Sequence, residues 1–286
     1  MKVLVLGANG MLGSAVMQIL RKKKNWEVFG TVRSNIKECL LPPNIQENII
    51  YNVDVLHFER LLKIFSNHKP DILINCIGLV KQNCQVNDPL MSIAINSLLP
   101  HRLASICEAF RTRMVHISTD CVFNGEKGNY QEHDPSDARD IYGKTKYLGE
   151  LDYQHTITLR TSIIGHELKS TRSLVEWFLS IKSSCVGYTN AIFSGLPTVV
   201  LAEVIRDIII PQTILSGVYH IGSKPISKFD LLQIIASVYK KKVEIFPDRS
   251  FVVNRSLNTD RFHDATGYVS PDWVSLIKTM YCSKKG

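Results

Sequence analysis

The chain has 286 residues of ordinary globular composition, 45% hydrophobic and 21% charged, which predicts one large domain or two coupled domains. Its net charge is +8, but the basic residues form only short clusters, such as residues 21–24, and lack the interleaved aromatic residues of a nucleic-acid-binding stripe. No apolar run approaches the roughly 20 residues of a membrane span, and the first predicted strand begins at residue 2, so we expect a cytoplasmic protein without a membrane segment or signal peptide.

The cysteines and histidines predict no metal site and no disulfide framework. Seven cysteines are scattered along the chain without a C-x-x-C pair, which is typical of reduced thiols in the cytosol. The nine histidines show none of the spacings expected of metal ligands.

The amino-terminal segment predicts an anion site. Residues 2–6 form a continuous apolar run typical of a buried parallel strand, and glycines follow at Gly7, Gly10 and Gly13 before a helical pattern begins. The backbone N–H groups of such a turn and the positive end of the helix dipole bind phosphates, although the same spacing also fits a turn without a ligand. The motif GANGMLG resembles the extended branch of the short-chain dehydrogenase/reductase superfamily, and this resemblance implies a bound dinucleotide. The residues expected to contact it here are Gly7, Asn9, Gly10, Met11 and Leu12.

The end of the second predicted strand, residues 26–32, indicates which dinucleotide is bound. A carboxylate at this point would bind the ribose hydroxyls of NAD and repel a 2′-phosphate. The chain instead has Arg33 and Ser34, and a guanidinium pairs well with a phosphate. We therefore expect NADP(H), with NAD(H) still possible and with a solvated Arg33 as the alternative interpretation.

The third and fourth predicted strands, residues 49–53 and 71–77, end in further cofactor candidates. In the superfamily an acid at the position of Asp54 resembles the group that contacts the adenine, but a helix N-cap explains it equally well. Gly78 follows the fourth strand at the carboxyl edge, where open α/β sheets bind ligands. The full set of candidates at these two strand ends is Asp54, Val55, Cys76, Ile77 and Gly78.

Strands and helices continue to alternate, which predicts an α/β fold with a doubly wound parallel sheet of the Rossmann type. A long helix is expected over residues 89–110, kinked by Pro100, and a fifth strand over 113–118. We expect residues 1–162 to form the NADP-binding domain, with a later segment around 193–210 returning to it.

From about residue 163 the pattern changes. Residues 163–286 are expected to form mainly a smaller α/β substrate domain. Its helices are predicted over 173–181 and 228–239, and its short strands over 218–221 and 243–246.

Two residues carry the predicted chemistry. Tyr142 and Lys146 are four apart on a predicted helix and hence share a face. A phenol normally has a pKa near 10, and a neighbouring ammonium should lower it and make the tyrosine a proton donor or acceptor near neutrality. The hydroxyls of Ser118 and Thr119 stand at the carboxyl end of the fifth strand, and a strand-end hydroxyl with Tyr and Lys resembles the catalytic triad of the short-chain superfamily.

The segments HISTDCVFNG (116–125), YGKTKYLGE (142–150) and LRTSIIG (159–165) are similar to the dTDP-4-dehydrorhamnose reductase family. The resemblance implies that Thr119 hydrogen-bonds a substrate ketone, that Tyr142 donates the proton, and that Lys146 binds the nicotinamide ribose and tunes Tyr142. It further implies NADPH-dependent reduction at carbon 4 of a nucleoside-diphosphate 4-keto-6-deoxy sugar in polysaccharide synthesis.

The chain departs from this family where substrate is recognised. Cys121 replaces the usual tyrosine, and the segment around Lys81 differs as well. Arg255 is a candidate for the substrate diphosphate, with a structural role as the alternative. The expected substrate contacts are therefore Lys81, Asp120, Cys121 and Arg255, and a UDP-linked N-acetyl sugar is a possible substrate.

Other functions remain open. A 4,6-dehydratase needs a glutamate after Asp120, where this chain has Cys121, so elimination would lack its base. A sugar-nucleotide epimerase, or a non-catalytic NADP-binding regulatory subunit like the β subunit of methionine adenosyltransferase, fits the same fold. We expect a monomer or homodimer that binds a nucleotide sugar and neither nucleic acid nor membrane.

Overall fold

The computed structural model describes residues 1–80, 84–168 and 171–284. Its strands are β1 (Lys2–Leu6), β2 (Glu27–Thr31), β3 (Ile49–Ile50), β4 (Ile72–Asn75), β5 (Arg113–Ile117), β6 (Thr156–Arg160), β7 (Ile163–Ile164), β8 (Ser184–Tyr188), β9 (Ala191–Phe193), β10 (Leu196–Pro197), β11 (Gly217–His220), β12 (Ile226–Ser227), β13 (Glu244–Asp248) and β14 (Val253–Asn254). Its α-helices are α1 (Met11–Leu20), α2 (Pro43–Gln46), α3 (Phe58–His68), α4 (Pro89–Ser92), α5 (Leu99–Ala109), α6 (Ile141–Leu148), α7 (Leu174–Ser180), α8 (Thr198–Val204), α9 (Lys228–Tyr239), α10 (Asp260–Thr266) and α11 (Trp273–Ser283).

Seven parallel strands form the central sheet, in the order β11-β6-β5-β4-β1-β2-β3. Successive side chains of a strand point to opposite faces, and β1 shows this directly. Val3 and Val5 belong to one apolar core, which includes α1 and α8, whereas Leu4 and Leu6 belong to the other, which includes α3 and α5. Both faces of the sheet are therefore covered, and the predicted doubly wound fold is confirmed.

The remaining strands form three small sheets, β10-β7, β12-β9-β14 and β13-β8. The expectation that residues 218–221 belong to the C-terminal part is wrong: β11 pairs in parallel with β6 at the edge of the central sheet. Tyr219 of β11 and Ile221 just after it are buried in the same core as α1, which explains this placement. Helix α8, within the segment 193–210, packs against α1.

The helix predicted over residues 89–110 has a π-helical segment, Ile93–Leu98, between α4 and α5. Pro100 has no N–H to donate to the carbonyl of Asn96 four residues earlier. A Cβ added to Gly149 would lie 1.9 Å from that same Asn96 oxygen, so the π-helical segment and the end of α6 approach closely at this point. Within the described residues, no helix combines the length and apolarity that crossing a bilayer requires.

Candidate active site

The glycine turn has the geometry of a dinucleotide cradle. Gly7 adopts a positive φ of 78°, a conformation that side chains disfavour. A Cβ on Gly13 would lie 2.1 Å from the Gly7 carbonyl oxygen, so only glycine lets α1 pack this closely on β1. Gly10, Met11 and Leu12 at the start of α1 line a cavity of about 580 Å³, called here the main cavity. The residues present therefore fit a diphosphate at this helix N-terminus.

The end of β2 also fits an additional phosphate. The Ser34 hydroxyl oxygen is buried and has no hydrogen-bond partner among the residues that the structure describes, and a buried polar atom of this kind needs a partner. Arg33 beside it is exposed. Both residues follow β2, the strand that pairs with β1. Neither of them lines the main cavity.

Asp54 and Val55 also lie outside the main cavity. A carboxylate oxygen of Asp54 accepts the N–H of Leu56 at 3.0 Å, which closes a turn, whereas α3 begins at Phe58 with His57 as its N-cap. The helix-capping alternative for Asp54 is therefore wrong, because the carboxylate stabilises the preceding turn. Val55 is buried in the core beneath α3.

The carboxyl end of β4 forms one wall of the cavity, with Cys76, Ile77 and Gly78 all lining it. Burial raises the pKa of the Cys76 thiol to about 12, so this residue contributes an uncharged thiol to the wall. Asn96, which was not among the predicted site residues, fixes the backbone of this wall. Its side-chain oxygen accepts the Leu79 N–H at 2.9 Å, and its amide donates to the Leu79 carbonyl at 3.1 Å.

Thr119 and Tyr142 meet across the cavity. The Thr119 hydroxyl hydrogen-bonds the Tyr142 side chain and thereby lowers its pKa, but burial raises the pKa by more, and the net shift is upward. The sequence analysis predicted a lowered Tyr142 pKa from Lys146. That prediction is wrong for this structure because desolvation of the phenolate and the negative groups nearby, Cys121, Asp120 and Asp140, all raise the pKa. The phenol therefore keeps its proton at neutral pH.

Lys146 lies at the point where β4 and β5 end. Its ammonium donates to the Ile117 carbonyl at 2.7 Å, and a Cβ added to Gly78 would lie 3.9 Å from its Nζ. Burial lowers the pKa of Lys146 to about 8, with Glu150 opposing the shift. The Asp140 carboxylate accepts the Gly143 N–H at 2.8 Å and caps α6, which fixes the helix that carries both Tyr142 and Lys146.

Only one of the two strand-end hydroxyls is free to face Tyr142. Ser118 donates to Glu150 at 2.6 Å, and Glu150 forms a buried ion pair with Arg160 at 2.7 Å. Ser118 is therefore part of the scaffold that ties α6 to β6, and Thr119 is the hydroxyl that contacts Tyr142.

A second cavity of about 380 Å³ adjoins the first and shares Asp120, Cys121 and Ser162 with it. Its charged lining residues are Asp120, Lys228 and Arg255. Its aromatic lining residues are Trp177, Tyr188, Phe193 and Phe251. The main cavity thus opens, past Asp120 and Cys121, into an aromatic cleft with two cations.

The four predicted substrate contacts have different outcomes. Asp120 and Cys121 line both cavities, and Lys81 lies outside the described residues. Arg255 lines the cleft, but it donates from Nε to the Phe123 carbonyl at 2.8 Å and from Nη2 to the Asn124 carbonyl at 3.1 Å. Burial raises the pKa of Asp120, and the charges of Arg255 and Lys228 oppose that shift.

Sequence reasoning missed Lys228, although it predicted a helix that begins at this residue. A lysine at the first position of a helix opposes the positive end of the helix dipole, and this unfavourable placement is a signal that the sequence itself contains. In the structure Lys228 lies in the cleft close enough to Asp120 for the two charges to affect each other's pKa.

A glycine cradle at the head of a doubly wound sheet, with Thr119 just after β5 and with Tyr142 and Lys146 on α6, defines an NAD(P)-dependent oxidoreductase of the extended short-chain dehydrogenase/reductase type. The family model described as "RmlD substrate binding domain" matches residues 1–281, and the chain belongs to this family. The resemblance found in the sequence is thereby confirmed.

The curated relatives include proteins named as reductases and a subunit of methionine adenosyltransferase. The probable low-salt glycan biosynthesis reductase Agl14 of Haloferax volcanii is 32% identical over 52% of this chain and 48% of its own length, so the chain spans about half of that relative. The dTDP-4-dehydrorhamnose reductase of Aggregatibacter actinomycetemcomitans is 24% identical over 98% of both chains. The methionine adenosyltransferase 2 subunit beta of Xenopus laevis is 24% identical over 83% of this chain and 72% of its own length.

Solved structures share the fold. The dTDP-4-dehydrorhamnose reductase of Clostridium acetobutylicum has a TM-score of 0.81 at 23% identity over 100% of both chains. The enzyme of the same name from Bacillus anthracis, in complex with NADP, has a TM-score of 0.81 at 20% identity over 99% of this chain and 98% of its own. WbmG of Bordetella bronchiseptica, in complex with NAD and UDP, has a TM-score of 0.78 at 15% identity over 99% and 94%.

Proposed function

We propose that the protein reduces the C4 ketone of a nucleoside-diphosphate 4-keto-6-deoxy sugar with NADPH. The observation that carries this proposal is the position of Thr119, Tyr142 and Lys146. They line a cavity that reaches the glycine cradle at one end and the aromatic, cationic cleft at the other. A cofactor and a second, elongated ligand can therefore meet at these three side chains.

Tyr142 is the proton donor in this proposal. Reduction of a ketone to an alcohol adds a hydride to the carbon and a proton to the oxygen, and NADPH supplies the hydride when it is bound. Because burial raises the pKa of Tyr142, the phenol holds its proton until a stronger base, the developing alkoxide, is present. Lys146, one turn further along α6, supplies a positive charge that stabilises the phenolate left behind.

Thr119 orients the ketone. Its hydroxyl accepts the Cys121 N–H at 3.1 Å and donates to Asp120 at 3.2 Å. The hydroxyl has one proton, so a ketone oxygen placed beside Tyr142 would compete with the Asp120 carboxylate for it. The backbone bond from Cys121 keeps the hydroxyl in place during that exchange.

NADPH is the cofactor we propose, with NADH as the weaker substitute. No acid stands between Thr31 and Ser34 to bind a free ribose diol. The buried Ser34 hydroxyl, which no described residue hydrogen-bonds, and the neighbouring Arg33 together offer a donor and a positive charge to a 2′-phosphate. The Bacillus anthracis neighbour in complex with NADP supports this choice, and the NAD complex of WbmG represents the alternative.

The experiment offers NADPH and a panel of dTDP-, UDP- and GDP-linked 4-keto-6-deoxy sugars, with product structure determined by NMR. We expect stoichiometric NADPH consumption and a sugar reduced at carbon 4 with at least one member of the dTDP or UDP series. An epimerase would change the sugar without consuming NADPH. Failure to consume NADPH with every member contradicts the proposal.

A non-catalytic regulatory subunit is the second candidate, supported by the similarity to the methionine adenosyltransferase subunit. Such a protein would bind NADPH and leave it unoxidised in the same assay. The intact set of Thr119, Tyr142 and Lys146 favours the enzyme, because a scaffold has no use for a buried ammonium and a partly buried phenol on one helix. We further predict a cytoplasmic monomer or homodimer.

A further inference from the structure

We propose that Lys228, which lines the second cavity near Asp120 and Cys121, binds the diphosphate of the nucleotide-sugar substrate. The ligand class rests on the proposed function, whereas the choice of residue rests on the structure alone.

Lys228 is held in the cleft by its neighbours. β12 pairs with β9, which places Ile226 opposite Phe193, and α9 begins directly after β12 at Lys228. The Lys228 ammonium lies 4.0 Å from the centre of the Phe193 ring, and this ring is almost fully buried. The aromatic face therefore orients the side chain toward the cleft without using any of its hydrogen-bond donors.

Those donors are available to a ligand. Among residues 1–80, 84–168 and 171–284, no carboxylate lies within ion-pair distance of Lys228. Burial lowers the pKa of Lys228 to about 8, while Asp120 and Cys121 oppose the shift. A partly desolvated ammonium with three unused donors is costly for the folded protein, and an anionic ligand would remove that cost.

The local charge also favours an anion. Lys228 and Arg255 are the cations that line the cleft and Asp120 is its carboxylate, which leaves a net positive charge. Arg255 already donates to two backbone carbonyls, so Lys228 is the cation with uncommitted donors. Asp230, three residues into α9 and hydrogen-bonded to Ser227 at 2.6 Å, offsets part of the helix dipole, so the lysine charge is the main attraction.

The order of groups along the cleft matches a nucleotide sugar. The reacting ketone must lie at Thr119 and Tyr142, and the partly exposed rings of Trp177, Tyr188 and Phe251 lie in the second cavity, where a base can stack. Lys228 lines this second cavity together with Asp120 and Cys121, the residues that both cavities share. In a nucleoside-diphosphate sugar the diphosphate lies between the sugar and the nucleoside. The Lys228 ammonium therefore lies where the diphosphate would be bound.

The test measures binding by titration calorimetry, with no turnover, on the NADPH-loaded protein. The probes are dTDP and UDP, with thymidine and uridine as ligands that lack the diphosphate. The variants are Lys228→Met, which keeps the stem on Phe193, Lys228→Arg, which keeps the charge, and the exposed Lys224→Met as control. We expect Lys228→Met to weaken dTDP or UDP binding about tenfold or more, because a hydrogen-bonded charge contact is lost.

Thymidine and uridine affinities should change by less than about twofold in every variant, and Lys228→Arg and Lys224→Met should bind the diphosphates nearly as the unchanged protein does. Equal losses for nucleosides and diphosphates would assign Lys228 to packing and overturn the proposal. Unchanged diphosphate binding in Lys228→Met, or no diphosphate binding by the unchanged protein at millimolar concentration, would overturn it as well. Lys228-dependent diphosphate binding without turnover of any 4-keto sugar would contradict the proposed function and support this assignment.

Discussion

Thr119 and Tyr142, which are 23 positions apart in the chain, are joined by a side-chain hydrogen bond at the carboxyl edge of the sheet. This bond brings the end of β5 and the first turn of α6 to one point. A ketone bound there would meet a hydrogen-bond donor and a proton donor together, which is the geometry that carbonyl reduction requires.

Tyr142→Phe removes the proposed proton donor and keeps the ring. We expect turnover with a 4-keto sugar nucleotide to fall about 10²- to 10⁴-fold, because the alkoxide loses its acid. NADPH affinity, measured by fluorescence titration, should change by no more than a few-fold. Undiminished turnover in this variant would exclude Tyr142 as the acid.

Thr119→Val and Ser118→Ala separate the two neighbouring hydroxyls. We expect Thr119→Val to lower kcat roughly 10²-fold, because a donor to the reacting oxygen is lost, and to lower the free energy of unfolding by about 1 kcal/mol, because the Cys121 N–H loses its acceptor. Ser118→Ala should lower the free energy of unfolding by about 1–3 kcal/mol, because the buried Glu150 loses a hydrogen bond, and the folded enzyme should stay active. The reverse pattern of effects would mean that Ser118 is the hydroxyl that contacts the ketone.

The strand ends that form the site could be predicted because short-range patterns specify them. The glycine spacing after β1, the apolar run of each buried strand and the interval between Tyr142 and Lys146 are all local. Alternation along β5 predicts that Ser118 and Thr119 face different sides, but which of them faces Tyr142 depends on Glu150 and Arg160, a contact between distant segments.

Two other features depend on long-range contacts in the same way. The pKa of Tyr142 rises because other elements exclude water from its ring, and no local pattern reports that burial. Lys228 approaches Asp120 only because β12 pairs with β9. Both features follow from tertiary packing, which brings together residues whose spacing in the chain carries no signal.

The activity should depend on the charge of Lys146. Its pKa is lowered to about 8 by burial, so the ammonium is lost as the pH rises through this value, and kcat/KM should fall with it. Lys228 has a pKa of about 8 as well, so the profile is best measured in Lys228→Arg, in which the cleft keeps its charge. A profile of that variant that stays level above pH 8 would contradict the role of Lys146.

Stability should change in the opposite direction over the same range. The pKa of Lys146 is about 8 in the folded protein, whereas the unperturbed value of 10.5 applies to the unfolded chain. Between these two pH values the unfolded chain therefore binds more protons than the folded protein. The contribution of Lys146 to stability consequently rises with pH. Lys228 adds a second contribution of the same sign. In Lys146→Met, denaturant titrations should show a smaller rise in the free energy of unfolding between pH 8 and 10.5. An unchanged rise would mean that Lys146 is charged in both states.

Cofactor preference should depend on Arg33 and Ser34. We expect Arg33→Ala to weaken NADPH binding roughly tenfold or more while NADH binding changes little, because only NADPH carries the 2′-phosphate that a guanidinium pairs with. Ser34→Ala should act in the same direction with a smaller effect, since it removes one neutral donor whose oxygen has no partner within the described residues. Arg102→Ala, at an exposed arginine of α5, serves as the control for loss of a surface charge. Equal weakening of NADPH and NADH by Arg33→Ala would place the guanidinium away from the phosphate and favour NAD(H) as the cofactor.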